Sequence, residues 1–411
     1  MRFLYKLYKI LSSYWLAAVT LFFMTVVTLV GTLDQVDLGL WEAKQRYFHS
    51  FFTSYKGIPL PGGLLLMMLL FVNMVFGGMV HVRKKWRGLP LLISHFGMLF
   101  LLVSGFVTWT QTRDGFVAVY AGQVSDRAQS YRDWQIEILE VNEEGQATKA
   151  HTIPTEVLAK LGPTDSRKCM SDALPFSLTI DRWFENAAVL PTSAPLAADL
   201  PGKVIDGFKV KAEKGAKERS RNFPACYLTI RPESGEASEV ILWGLSAKYD
   251  PRSSTSAYTF EVAGRQWALQ LVKKSWPIAF AIRLDRFLYE KHPGTMTPKN
   301  FESRITRLDS LDAAEGKRVA IQMNKPMRHD GFVVFQESYG TRDKGPDPEY
   351  YSQFAVSDNP ADQWPLYALI VTGVGLTLHF IMKLVGFKGA AERNRRQRRE
   401  ASANLDSAST S

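Results

Sequence analysis

The residue in this chain best placed to do chemistry is His95. It is the single ionisable side chain in the apolar run LPLLISHFGMLFLLVSGFVTW at residues 89–109. An imidazole in hydrocarbon must find a partner or stay neutral at a cost, so such residues are functional-site candidates by default. Near a membrane face an imidazole can ligate a metal or haem iron, relay protons, or hydrogen-bond a neighbouring helix. Ser94, Gly97, Ser104 and Gly105 are small and lie around one side of the same helix, which allows a second helix to approach closely. That packing would hold the ring at a protein interface rather than in lipid.

The chain has seven histidines, at positions 49, 81, 95, 151, 292, 329 and 379. His81 ends an apolar segment beside Arg83, and His379 lies four residues before Lys383. Both are near enough to an interface to reach water, which favours a structural role. His379 nevertheless falls at a depth similar to that of His95, which makes it a candidate second ligand within the chain. His49, His151, His292 and His329 read as single surface residues on loops or strand ends.

The elements that must position these residues are apolar. Within 411 residues, four nearly uncharged stretches reach the length of about 20 residues that a bilayer requires. They are expected at 14–33, 61–82, 89–110 and 364–384. The first follows a basic start (Arg2, Lys6, Lys9), but its core is too long for a signal peptide and no small-residue cleavage site follows, so it reads as an uncleaved anchor. Basic residues set the expected orientation. The N-terminal segment 1–13, the connector 83–88 (Arg83, Lys84, Lys85, Arg87) and the tail 385–411 fall on one side of a four-span protein, the cytoplasmic side. The loop 34–60 and the segment 111–363 then lie outside. The net charge of +10 is weighted toward these cytoplasmic segments, which points to anionic lipid headgroups rather than nucleic acid. The basic tail ends in low-complexity Ser/Ala and is expected to be disordered.

Segment 111–363 alternates in the manner of strands. WQIEILEVNEEG, FSLTIDRW, ACYLTIRPE, SEVILWGLS, AYTFEVAGRQWALQLVKKSW and KRVAIQMNKPMRHDGFVVFQESYG are separated by Gly, Pro, Asn and Asp. The expected fold is therefore four transmembrane helices with a large extracytoplasmic β-rich domain, sandwich- or barrel-like, between the third and fourth. Residues 284–305 are aromatic and basic, then turn at Pro293-Gly294 into a short extended piece. Motifs for dinucleotide, phosphate or zinc binding and for serine hydrolases are missing. The two cysteines, Cys169 and Cys226, form neither C-x-x-C nor C-x-x-C-H, so structural or free thiols are expected.

In these features the chain resembles the ResB (CcsB) family of System II cytochrome c biogenesis proteins. Gly31-Thr32 with Gln35 is similar to that family's first-span end, and LISHFGMLFLLVSG to its third-span motif. HPGTMTPKNFESRI resembles its Pro-Gly-Thr…Phe-x-Ser stretch. IQMNKPMRHDGFVVFQESYG resembles a further segment through Asn324, Lys325, Pro326, Gly331, Phe332, Phe335, Gln336, Ser338 and Tyr339. The resemblance implies a bacterial inner-membrane assembly factor, a non-catalytic or co-catalytic subunit of a cytochrome c haem lyase. Such a subunit carries transient, non-covalent haem b with a CcsA/ResC-type membrane partner. It implies His95 as an axial ligand to haem iron, no catalytic residue in this chain, apocytochrome c as recipient and a thioredoxin-like thiol reductant as a further partner. No tryptophan-rich haem-handling segment is present, and Leu33-Asp34 stand where a proline is expected before Gln35. The residues alone also fit a His-based proton-coupled carrier, or a membrane-anchored scaffold or sensor with structural histidines.

Overall fold

The computed structural model describes residues 2–409 apart from 82–85, 143, 145, 159, 162–164, 172, 246–256, 296–297 and 343–348. Arg83, Lys84 and Lys85 of the basic connector therefore lie outside the described residues. The chain divides into two units, Met1–Thr112 with Asn359–Ser411, and Arg113–Asp358.

The first unit holds four helices long and apolar enough to cross a membrane: Tyr14–Leu38, Gly63–Val80, Leu89–Gln111 and Trp364–Phe387. This is a multi-pass membrane protein with three spans before the β unit in sequence and one after it. A separate helix, Arg2–Leu11, precedes them and buries no residue. The chain breaks at Ser12-Ser13, and Ser13 Oγ caps the first span by accepting from Leu16 N–H at 3.1 Å. Asn73, buried in the second span, donates to Leu11 O (2.7 Å) and Ser13 O (3.0 Å), so the carbonyls freed by the break are satisfied inside the bundle.

The first helix runs past the expected end at Leu33 to Leu38 and stops at Gly39, whose φ of 82° only glycine adopts without strain. The extension is held at Asp34. Its carboxylate accepts from Tyr47 Oη at 2.5 Å and lies 3.7 Å from Arg46. Burial, and then the bond to Asp34, push the Tyr47 phenol up to about 12. The rest of the connector is a π-helical turn, Lys44–Phe48, and a hairpin, Phe52–Tyr55 with Ile58–Pro61.

The third and fourth spans pack at backbone contact. A Cβ on Gly97 would fall 2.3 Å from Thr372 Oγ1, and one on Gly375 would fall 2.5 Å from Ser94 Oγ. Ser94 (1% exposed) and Gly97 thus form the small face that lets the fourth span approach. The fourth helix does not end with its apolar stretch but continues to Ser409. The Ala-, Glu-, Arg- and Gln-rich stretch GAAERNRRQRRE is a good helix former, so the tail read from composition as disordered extends that helix.

Among the described residues of the second unit, the named strands pair antiparallel. Eight strands follow one path: Lys317–Gln322, Pro298–Leu308, Arg265–Lys291, Val124–Val141, Arg113–Tyr120, Glu349–Asp358, Phe332–Arg342 and Met327–His329. The two ends of the path meet at one turn, where Gln322 and Lys325 exchange backbone hydrogen bonds at 3.2 and 3.1 Å, so the sheet nearly closes into a barrel. Ala263 (φ 54°) with Gly264 (φ 71°), and Asp330 (φ 49°) with Gly331 (φ 80°), supply the tight hairpins that split two of the expected runs into separate strands. A second sheet orders Ser238–Trp243, Ala225–Pro232, Phe176–Phe184 and Ser166–Cys169.

Two long strands serve two cores. Ile278, Phe280, Ile282 and Ala128 fill the barrel with Val117, Ile305 and Phe354. Leu269, Leu271, Ile136 and Ile138, on the same two strands, pack against Leu178, Ile180 and Leu228 of the second sheet. Register shifts between Lys273 and Ser275 and between Pro277 and Ile282 separate the two stretches, and proline is tolerated at such an irregularity. Barrel and sandwich are therefore both present, joined through shared strands.

The close crossing of the third and fourth spans makes a direct prediction. Ser94→Cys combined with Gly375→Cys should form a disulfide in membranes under mild oxidant, read as a mobility shift after cleavage between the spans. Ser94→Cys combined with Leu384→Cys should not.

Candidate functional site

His95 lies six residues into the third span, roughly 9 Å from its first turn at a rise of about 1.5 Å per residue. Its Nδ1 is 2.7 Å from Leu91 O, one turn earlier. A carbonyl oxygen only accepts, so Nδ1 carries a proton and donates, which leaves Nε2 as the ring nitrogen not tied to its own helix. Among the described residues no group hydrogen-bonds Nε2. The ring is partly exposed and rests on the second span, where a Cβ on Gly78 would fall 2.4 Å from His95 Cδ2 and 3.3 Å from Nε2. Gly78 belongs to the π-helical stretch Met74–Val80, a widened turn of a kind frequent at functional sites. The site is thus an imidazole tied through Nδ1 to its own helix, with its ring braced on a glycine of the second span.

Ser94 and Gly97 face the fourth span, whereas His95 faces the second. His379 lies one turn beyond Gly375, which is itself level with Pro90 and Ser94. Its nearest ring is that of Phe380, at 5.9 Å. No described contact brings His95 and His379 together. His81 is exposed, with Nδ1 3.3 Å from Tyr8 Oη. Among the described residues no three His, Cys, Asp or Glu side chains converge as a metal site.

His49 does not behave as a surface residue. Its ring lies 5.1 Å from that of Trp109 at the far end of the third span, and its Nδ1 is buried without a partner. Burial, and then the charge of Lys44, lower its pKa below the ordinary histidine value, which keeps it neutral. It lines an apolar cavity of about 570 Å³ between the first three spans. Nothing local in the sequence marks this residue, because Trp109 lies far away in the chain.

In the β unit the motif residues form one cluster. Ser303 Oγ is 2.5 Å from Gln336 Oε1 and 2.8 Å from Ser352 Oγ, and both serines are fully buried. Beside it Tyr339 packs against Phe287 (4.7 Å), Phe301 (5.2 Å) and Tyr289 (5.4 Å). The turn His292–Thr295 is exposed, Met296 and Thr297 fall outside the described residues, and strand Pro298–Leu308 follows. Residues 284–305, expected as a turn and a short extended piece, are thus the two sides of a hairpin. The satisfied polar network and the stacked rings make this cluster a structural clasp of the barrel.

Two comparisons bear on identity. The model of the ResB-like family matches residues 255–346. That segment contains the Tyr289, Phe301, Ser303, Gln336 and Tyr339 cluster. Protein NrfI of Wolinella succinogenes is 21% identical over 344 residues, which is 82% of this chain and 32% of NrfI. The chain therefore spans about a third of the length of that curated relative.

Both cysteines are free thiols. Cys226 is fully buried in the sandwich core, where burial pushes its thiol up to about 12, and Cys169, half-buried, is raised by the same cause. Alkylation requires the thiolate, so Cys226 should remain unmodified by iodoacetamide at pH 8 in the folded protein and react fully in denaturant, read by mass spectrometry. Fast native labelling of Cys226 would contradict the core described above.

Proposed function

We propose that this chain, whose residues 255–346 match the ResB-like family, is a membrane assembly factor of cytochrome c biogenesis, with His95 as an axial ligand to haem in transit. The observation that carries this reading is the bond from His95 Nδ1 to Leu91 O, which orients the ring and leaves Nε2 as the nitrogen for iron. Residues and group fit: an imidazole nitrogen is a common haem-iron ligand, the surroundings are apolar, and the ring is partly exposed. Bound haem supplies an iron with two axial positions. This chain fills one of them, orients the ring through Leu91 and Gly78, and leaves the other to a partner.

That partner is a CcsA/ResC-type membrane protein, and His379 is the in-chain alternative. By the placement of Lys and Arg, both termini and the 83–88 connector are cytoplasmic, with His95 near the face where haem enters. The β unit then lies outside, where it receives apocytochrome c or braces the partner. A thioredoxin-like reductant keeps the recipient's thiols reduced, a role for which the fully buried Cys226 and the half-buried Cys169, both raised by burial, are unsuited. The lipid bilayer completes the list of partners.

His95→Ala should abolish accumulation of c-type cytochromes, scored by haem-stained gels, while the variant inserts at wild-type level. His379→Ala should leave accumulation within about twofold of wild type. Normal maturation in His95→Ala would overturn the assignment of His95, and loss in His379→Ala alone would move the ligand to the fourth span.

A further inference from the structure

We infer that the helix Arg2–Leu11 is a membrane-surface binding element, with its apolar face set into the acyl boundary of the bilayer and its three cations on anionic phospholipid headgroups. The inference goes beyond the function proposed above and does not depend on it, since it concerns neither His95 nor haem.

The sequence of this helix, RFLYKLYKIL, sorts its side chains by face. At about 100° per residue, Arg2, Lys6 and Lys9 share an arc of about 60°, and Phe3, Leu4, Leu7, Ile10 and Leu11 share one of about 120° on the other side. The helix contains no Asp or Glu. In a water-soluble domain the apolar stripe would be covered by the core. Here Phe3 and Leu4 are 76% and 66% exposed, Leu7 and Ile10 are exposed as well, and no residue of the helix is buried. Contact with the second span uses neither face. Tyr8, on the flank between them, meets that span through Phe76, at 6.0 Å between ring centroids, and through His81 Nδ1, at 3.3 Å from its Oη.

Depth and charge together say what covers the apolar face. Ser13 is extended (ψ 144°), so the helix departs from the axis of the first span where that span begins. Aromatic residues mark this level. Tyr14 and Trp15 open the first span and are exposed, and Trp86, also exposed, lies in the turn before the third. Exposed Trp and Tyr at the ends of spans sit at the headgroup level of a bilayer. The end of the helix is pinned there, because Asn73 holds the carbonyls of Leu11 and Ser13, and a Cβ on Gly77 would fall 3.1 Å from Ser12 O. An amphipathic helix with cations on its polar face, held at that depth, lies in the plane of the interface and is drawn to anionic lipid. A second copy of the helix offers no acidic residue to these cations. Anionic headgroups supply both the charge and the apolar layer beneath it.

The test uses the full-length chain in a Cys169→Ser background, in nanodiscs of phosphatidylcholine with phosphatidylglycerol or of phosphatidylcholine alone. A nitroxide is attached in turn at Leu7→Cys, Lys6→Cys and Leu376→Cys, and its collision rates with oxygen and with a water-soluble nickel chelate are measured. In the anionic membrane Leu7→Cys should favour oxygen, and Lys6→Cys should favour the chelate. Leu376→Cys, in the fourth span, should favour oxygen in every sample, which shows that each is folded and inserted. Omitting phosphatidylglycerol, or adding Arg2→Gln, Lys6→Gln and Lys9→Gln, should shift Leu7→Cys toward the chelate. A chelate preference at both Leu7→Cys and Lys6→Cys in the anionic membrane would overturn the inference and leave the helix in water. Shielding of Leu7→Cys from both reagents would overturn it in favour of a second copy or a protein partner. An oxygen preference at Leu7→Cys that neither the lipid nor the charge variants alter would overturn the assignment of anionic headgroups. No sample contains haem, so these outcomes are separate from those of the His95 variants.

Discussion

The hydrogen bond from His95 to the carbonyl of Leu91 governs what the membrane bundle can do. In an apolar span an imidazole free to turn would seek its own nearest acceptor or drift to an interface. Tying Nδ1 to the helix backbone orients the ring and leaves Nε2 as the nitrogen not tied to the helix that carries it. Every neighbouring element is arranged around that fixed ring. Gly78 clears the space it occupies, the π-helical stretch places Gly78 there, and Asn73 ties the second span to the break at Ser12-Ser13. The small face of Ser94 and Gly97 gives the fourth span its own contact, so that span does not press on the histidine.

The two units are built on opposite economies. In the bundle, many apolar side chains face outward, as in Phe96, Phe106, Leu369 and Phe380, while the polar Thr20, Asn73, Ser94 and Ser104 are buried beside the apolar Val27, Val30 and Leu66. This is packing for a lipid solvent, where close backbone approach and internal hydrogen bonds replace hydrophobic burial. The β unit reverses the arrangement, with Leu228, Ile230, Leu269 and Phe354 fully buried. Strands shared by two cores make that unit continuous over its length.

The spans were legible because a bilayer imposes a length and a composition, and His95 stood out because an ionisable ring in such a run has few harmless explanations. Strand positions were legible from alternation, but not the division into barrel and sandwich. That division depends on which distant strands pair and on irregularities around Ser275 and Pro277. His49 was illegible. Its neighbour Trp109 and its cavity come from three separate spans, so in the sequence it looks like any loop histidine. The helical course of the basic tail was also hidden, because charge and low complexity outweigh the helix propensity of its Ala, Glu and Arg residues when composition is read alone.

The central claim is that His95 offers an open ring nitrogen to haem iron. Its most direct test is the visible absorption spectrum of the purified protein with its partner, comparing wild type with His95→Gly in the absence and presence of added imidazole. The account predicts a low-spin haem band in wild type, its loss or conversion to high spin in His95→Gly, and its return with imidazole. A low-spin band unchanged in His95→Gly would contradict the account and leave His95 as a packing residue of the third span.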